Sequence, residues 1–280
     1  MNILQDALAN PPPSIQATIP FEDFIKAFLH WDEKTSTSPS GRHLGLYKSL
    51  VTAHCDSGSE FDDAATSQDI STKIQASEIL HAIHSVATSV AERGMYLARW
   101  IYVLNVMFYK KAGVLELNEL RVLHLFEADF NLLVGLIFGR WTVHNAVNTA
   151  RIHPSQFGKK GGECMDAAVA KVLHNTIATL TKTPISQFES DATACFDRIS
   201  MTFAMMCFFI FGCPARFIKF WMGVLTHHCH QVKTAYGVLQ GSYSYEAASP
   251  IYGPGQGSRG GPGACVLSTS VLLQGQDRLA

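Results

Sequence analysis

The sequence predicts an α+β fold built around a large buried core. Three observations carry this reading. The chain has 280 residues, of which 47% are apolar and only 16% charged, against about 25% charged in ordinary soluble domains. Its front part is dominated by apolar residues at helical spacing. From Leu117 onward the pattern becomes strand, then helix, with a hairpin-like stretch near the end and no internal repeats.

Taken in order, residues 1–34 form a Pro-rich tail (Pro11 to Pro13, Pro20) and a helix. In Phe21 to Trp31, positions 21, 24, 25, 28 and 29 are apolar, one face of a 3.6-residue period. Residues 35–100 make a helical region. The Ser/Gly/Pro-rich start at Thr35 reads as a loop entering a short helix that ends near Leu50, His54 to Ser71 as a polar, acidic, mobile loop, and 72 to about 108 as one or two helices broken near Gly94. Tyr102 to Tyr109 suits a strand as well as a helix, because its β-branched and aromatic residues support both.

The third segment, 101–280, opens with a strand at Leu120 to Phe126 and a buried helix from Ala128 to Val147. A Gly/Lys-rich loop, Gln156 to Glu163, precedes a helix from Met165 to Leu180 and a short strand, Ile185 to Ser190. Two apolar helices flank Pro214, the first covering much of 197 to 211. His230 to Tyr245 reads as a hairpin broken at Gln240-Gly241, and a Gly/Pro-rich loop leads into a last apolar helix.

Composition excludes several functions. Twenty-two Lys+Arg against 23 Asp+Glu leave a net charge of −1, so this is neither a disordered chain nor a uniformly basic nucleic-acid binder; any basic surface is local. Seven cysteines without a C-x-x-C pair read as reduced thiols. The N-terminus lacks a secretory pattern. The most membrane-like stretch, Met201 to Cys213, has 13 residues, whereas a spanning helix needs about 20. No membrane partner and a nuclear or cytoplasmic location are expected.

Five groups of residues could carry chemistry. Asp191 ends a strand and could ligate a hard cation such as Mg²⁺; Asp197 follows in the first helical turn. Helix capping by both acids is the plainer alternative. Gly255-Gln-Gly-Ser-Arg-Gly260 satisfies G-x-G-x-x-G, with Asp277 downstream, but lacks the strand-turn-helix setting of a dinucleotide site. His227, His228, Cys229 and His230 are too crowded for one zinc ion. Glu78, His81 and His84 share a helical face and read as a solvated stripe. Lys110, Lys111, Arg121, Lys159 and Lys160 are either a solvated face or a phosphate clamp.

Five segments in order, TSTSPSGRHLGLYK, FYKKAGVLELNELRVLHL, QFGKKGGECMDA, FESDATACFDRI and YGPGQGSRGGP, resemble the fingers and partial palm of a reverse transcriptase domain of the non-LTR retrotransposon type. The resemblance covers roughly residues 35 to 275, with 65 residues from Asp191 to Gln256. It implies a right-hand polymerase, an RNA template, a DNA primer, deoxynucleoside triphosphates and two Mg²⁺ ions. Asp191 matches the first catalytic Asp, with the Ala192 carbonyl helping to hold a metal. Phe196 matches the gate against a ribose 2′-OH. Lys111 and Arg121 match the fingers cations on the incoming triphosphate, and Gln256 and Gly257 the loop against the nascent base pair, where glycine lets backbone approach nucleic acid. Phe157-Gly158-Lys159-Lys160 resembles the segment that tracks the template backbone.

The sequence departs from that pattern at three places. Glu163 stands where the family has a cation, which weakens the contact with a polyanion. Gly261 replaces the Ser of the usual Ser-Pro. The aromatic-x-Asp-Asp hairpin does not follow Gln256 before Ala280, and Phe61-Asp62-Asp63 precedes the fingers motifs. The 280-residue chain is therefore expected to bind nucleic acid weakly and not to polymerise, with a strand edge and apolar helix faces uncovered. Two further readings stay open: a nucleic-acid-binding remnant without chemistry, and a dinucleotide enzyme using Gly255 to Gly260.

Overall fold

The computed structural model describes residues 5, 9–32, 39–56, 67–110, 116, 119–185, 198–234, 236–244, 251 and 253–277. Helices and one four-stranded sheet make an α+β fold, as the sequence predicts.

The N-terminal part is helical. Phe21–Leu29 (α1) buries Phe24, Ile25, Ala27 and Phe28, the positions that the apolar spacing picks out. Leu44–Asp56 (α2) and Ser67–Glu92 (α3) follow. Residues 54–56 and 67–71 are thus helical, not loop; α3 turns Ala76, Leu80, Ala87, Thr88 and Ala91 inward. Gly94, at φ +70°, ends the helical run where a break is expected.

A short 3₁₀ turn, Ala98–Ile101, leads into β1 (Tyr102–Tyr109), so this ambiguous segment is a strand. It pairs antiparallel with β2 (Leu120–Leu125) and parallel with β3 (Cys229–Thr234), which pairs antiparallel with β4 (Gly237–Ser244). The sheet order is β2-β1-β3-β4. The hairpin turns between Thr234 and Gly237, which has φ +122°, and Gln240-Gly241 lies within β4. Thr234 and Gly237 provide the turn that the Gln-Gly pair does not: the Thr234 hydroxyl donates to the Gly237 carbonyl and accepts from Tyr236 N–H.

Between β2 and β3 runs the helical layer. Ala128–Val134 (α4) continues through a π-helical stretch, Gly135–Trp141, into Thr142–Asn148 (α5). Cys164–Thr181 (α6), Met201–Ile210 (α7) and Ala215–Thr226 (α8) follow, and Gly261–Asp277 (α9) closes the described chain. The expected strand at Ile185 to Ser190 lies outside the described residues beyond its first position.

One hydrophobic cluster runs from Ile15 through all three sequence segments to Val271. Its centre is aromatic. Trp100 meets Phe220 edge-on at 5.6 Å, and Phe138 packs 4.5 Å from Trp221 and 4.9 Å from Phe208, geometries that add to simple burial. The helix Met201–Ile210 buries Met201, Ala204, Met205, Cys207, Phe208 and Ile210 in the core and leaves Met206 and Phe209 exposed, and among the described residues no helix is long and apolar enough to cross a membrane. The edge strand β4 is exposed throughout, and α6 turns Met165, Val169, Val172, Leu173 and Leu180 outward.

Candidate nucleic-acid interface

The polar residues that organise the centre of the molecule sit in the run Glu127, Asp129, Asn131, within an otherwise apolar stretch. All three are buried, so each must find a partner. Glu127 accepts from Ser40 N–H at 2.7 Å and from the Ser40 hydroxyl at 2.9 Å. Arg99 bonds Glu127 at 3.1 Å and grips both oxygens of Asp129, which also accepts from Trp100 Nε1. Burial opposes the Arg99 charge, but the Asp129 bond and charge outweigh it and raise its pKa. Burial, with Asp129 nearby, pushes the Tyr47 hydroxyl up to about 12.

Asn131, one turn on, holds the glycine-rich loop. Its Nδ2 donates to the Gly257 carbonyl at 2.9 Å, and its Oδ1 accepts from Arg259 N–H at 2.8 Å. His124 N–H donates to the Gln256 carbonyl at 2.6 Å. Gly257 has φ +114°, and a Cβ there would collide with the His124 carbonyl oxygen. The close backbone approach this glycine permits is therefore to the protein's own strand, a reason that the sequence reading assigned to nucleic acid.

Arg121 lies exposed on β2, opposite Phe108. It shares a strand face with Leu123 by period-two alternation, and the Leu123 Cδ1 lies against Gly257. Arg121 and the Gln256-Gly257 loop thus both lie along β2, Arg121 near its start and the loop against His124.

Lys159 and Lys160 lie in a tight turn: Gly162 N–H donates to the Lys159 carbonyl at 3.0 Å. Gln156 anchors that turn. Its Oε1 accepts from Gly158 N–H at 2.8 Å, and its Nε2 donates to the Val266 carbonyl and to the Thr269 hydroxyl of α9. His153 adds a second clasp, bonding Asp277 at 2.7 Å through Nε2 and Ser270 through its backbone N–H. The two clasps fix the lysine loop against the helix that the glycine loop starts.

The result is an open groove of about 960 Å³. Lys159, Lys160 and Arg140 bring positive charge and Trp141 an aromatic face, with His144 beside them on the lining. Asp23 is the carboxylate on the lining. The segment Ser14 to Gln16 on the lining is tied to the Gly212 carbonyl by Ile15 N–H and the Ser14 hydroxyl, and the Asn145 amide of α5 donates to the neighbouring Pro13 carbonyl.

Several expectations change. Glu163 sits exposed at the N-cap of α6, with its own N–H bonded to Asp166 at 2.8 Å, a helix-capping role that the sequence reading did not give it. Of the helical face Glu78, His81 and His84, the first two are exposed, as the solvated-stripe reading expects, although His81 also stacks on Phe21 of α1 at 3.7 Å; His84 departs from it, half-buried with its Nε2 donating to the Ile19 carbonyl. The dinucleotide reading loses its footing, since Gly257 is pressed against β2, a Cβ at Gly260 would lie 2.5 Å from Trp221, and Asp277 is taken by His153.

Asp191, Ala192, Phe196 and Lys111 lie outside the described residues. Among the described residues no group of three His, Cys, Asp or Glu is placed to hold a metal ion. The acids and Asn131 that shape the interface went unnoticed in the sequence; the signal was there in three polar residues at alternate positions of an apolar run. No family model and no curated protein matches this chain.

Proposed function

We propose that this chain forms the fingers and part of the palm of a reverse transcriptase of the non-LTR retrotransposon kind, and that the groove holds its RNA template strand. The observation that supports this reading is the meeting of Lys159 and Lys160 with Pro262 and Gly263 around one groove. The two segments are far apart in sequence, and the resemblance implies that both lie on the template. A basic groove with an aromatic face suits single-stranded nucleic acid, where cations track phosphates and a ring stacks on bases.

In this reading the described residues bind and orient. Lys159, Lys160 and Arg140 take the template phosphates, Trp141 stacks on a base, and Arg121 faces the incoming triphosphate beside Gln256. The nucleotidyl transfer implied by the resemblance, with its DNA primer, deoxynucleoside triphosphates and Mg²⁺, belongs to Asp191 and Ala192. A second reading, a binding module without chemistry, uses the same groove.

Anisotropy of a labelled single-stranded RNA tests the groove. The expected result is binding that falls steeply with salt and weakens on Lys159→Ala/Lys160→Ala; absence of binding at low salt refutes the reading. Primer extension then separates the two versions. Template-dependent synthesis abolished by Asp191→Ala supports the polymerase, and RNA binding without synthesis supports the module.

A further inference from the structure

The glycine loop is held by more than the fingers. Arg259 is half-buried, and its guanidinium carbon lies 4.4 Å from the ring centroid of Trp31. Trp31 belongs to the N-terminal segment, before the first segment that carries the polymerase resemblance. It is buried, and its carbonyl accepts from Lys48 Nζ at 3.0 Å. Arg99, by contrast, is neutralised by Glu127 and Asp129. No acid pairs with Arg259 among the described residues, and burial lowers its pKa, so the ring face is what it has in place of a carboxylate.

The other side of Arg259 is a floor cut to fit. Gly135 and Gly139 stand one turn apart in the π-helical stretch. A Cβ at Gly135 would lie 2.8 Å from the Arg259 Cβ, and one at Gly139 would lie 2.6 Å from the Arg259 carbonyl oxygen. π-helical turns are rare and concentrate at functional sites. The side chain is thus sandwiched between a glycine floor and an indole lid, while Asn131 and His124 hold the backbone on either side.

We propose that Trp31 is a positioning residue for the loop Gly255 to Gly260: the N-terminal segment, through its ring on Arg259, sets the placement of Gln256 and Gly257 against β2. This deepens the nucleic-acid reading and rests on it for its functional meaning, but the structural claim is separable. A cation–π contact at a half-buried site is worth a factor of about 3 to 30 in the closed-to-open ratio.

Amide exchange of the full chain, read on peptides covering 253–260, tests the placement. Trp31→Ala is expected to speed exchange there about 3- to 30-fold while α8 exchanges as in the unaltered protein, and Trp31→Phe to restore most of the protection. Arg259→Met, which keeps the ring and removes the cation, is expected to loosen the same peptides and serves if Trp31→Ala fails to fold. Unchanged exchange at 253–260 in Trp31→Ala or Arg259→Met, or no restoration by Phe, overturns the proposal. RNA affinity measured on the same proteins separates the two claims. If the unaltered chain binds no RNA, the functional reading fails while exchange still decides the role of Trp31; if it binds, Trp31→Ala weakens binding and Trp31→Phe recovers it.

Discussion

Arg99 meets Asp129 with both arms of its guanidinium, and through this pair the 3₁₀ turn that enters β1 is bolted to the start of α4. The Asp129 side chain is fully buried, and the same carboxylate accepts from Trp100 Nε1 at 3.1 Å. Removing one partner of a buried ion pair leaves the other uncompensated, at a cost of about 3–5 kcal/mol. Arg99→Met, which strands the buried Glu127 and Asp129 carboxylates, is therefore expected to lower stability by that amount in urea denaturation. Replacing Arg99, Glu127 and Asp129 together by apolar residues is expected to cost less than Arg99→Met alone, since none of the three charges is then left buried; a triple variant as unstable as the single one contradicts this.

Gly257→Ala tests a different kind of constraint. The position has φ +114°, and the added methyl would collide with the His124 carbonyl. A strained backbone of this sort costs on the order of 1–3 kcal/mol, and here relief requires the loop to leave β2. The expected outcome is a lowered urea midpoint together with faster amide exchange at Gln256 and His124. A variant with unaltered midpoint and exchange would show that the loop has room to spare.

Three imidazoles cross the sheet on one side. His230 lies 5.6 Å from His124 and 5.4 Å from His228, stacks on Tyr243 and has Asn105 nearby, while Phe126 packs 5.6 Å from His228. Burial first, then the charges of its neighbours, lowers the pKa of His228 well below the ordinary 6.5, and burial with His124 brings His230 down to about 4. The unfolded chain thus binds protons that the folded one refuses, so stability is fully present above pH 6.5 and is lost as pH falls from there through about 4. For His230 the loss is on the order of 3 kcal/mol. The midpoint of urea denaturation is expected to fall across this window. His228 Nε2 has no hydrogen-bond partner among the described residues, so His228→Phe leaves nothing unpaired and is expected to flatten the slope. An equally steep slope in that variant would place the acid sensitivity elsewhere.

How much of this was legible beforehand depends on whether a local pattern or a distant partner decides each element. The apolar spacing of Phe21 to Leu29 marks α1, because the period of the backbone is written in the residues that face the core; the short apolar run Leu120 to Phe126 marks β2. The turn of the β3-β4 hairpin was misplaced because Gln240-Gly241 looks like a turn, while the preceding Thr234 and Gly237 make one by side-chain and backbone geometry. Residues 67–71 were misread because Ser-Gln-Asp-Ile-Ser is polar enough to resemble a loop, although it continues into a 26-residue helix. The interface divides the same way. Lys159, Lys160, Gln256 and Gly257 stand out locally, but Asn131, Gln156 and Trp31 act through partners more than a hundred residues away, and no local pattern announces such a bond.

The groove makes its own quantitative statement about salt. Each phosphate contact with a single strand releases counterions and contributes about 0.7 to the slope of log affinity against log salt. Lys159 and Lys160 both line the groove, so Lys159→Ala/Lys160→Ala is expected to reduce the slope by about 1.4, and Arg140→Ala by a further 0.7 or so. Trp141→Ala is expected to behave differently, because stacking on a base carries no charge: affinity drops about 5- to 100-fold with the slope unchanged. Titrating one labelled RNA at four salt concentrations against the three variants separates these effects. Equal slopes in all of them would mean that the phosphates are held on another face of the protein, and a slope change in Trp141→Ala would mean that the indole positions a cation instead of a base.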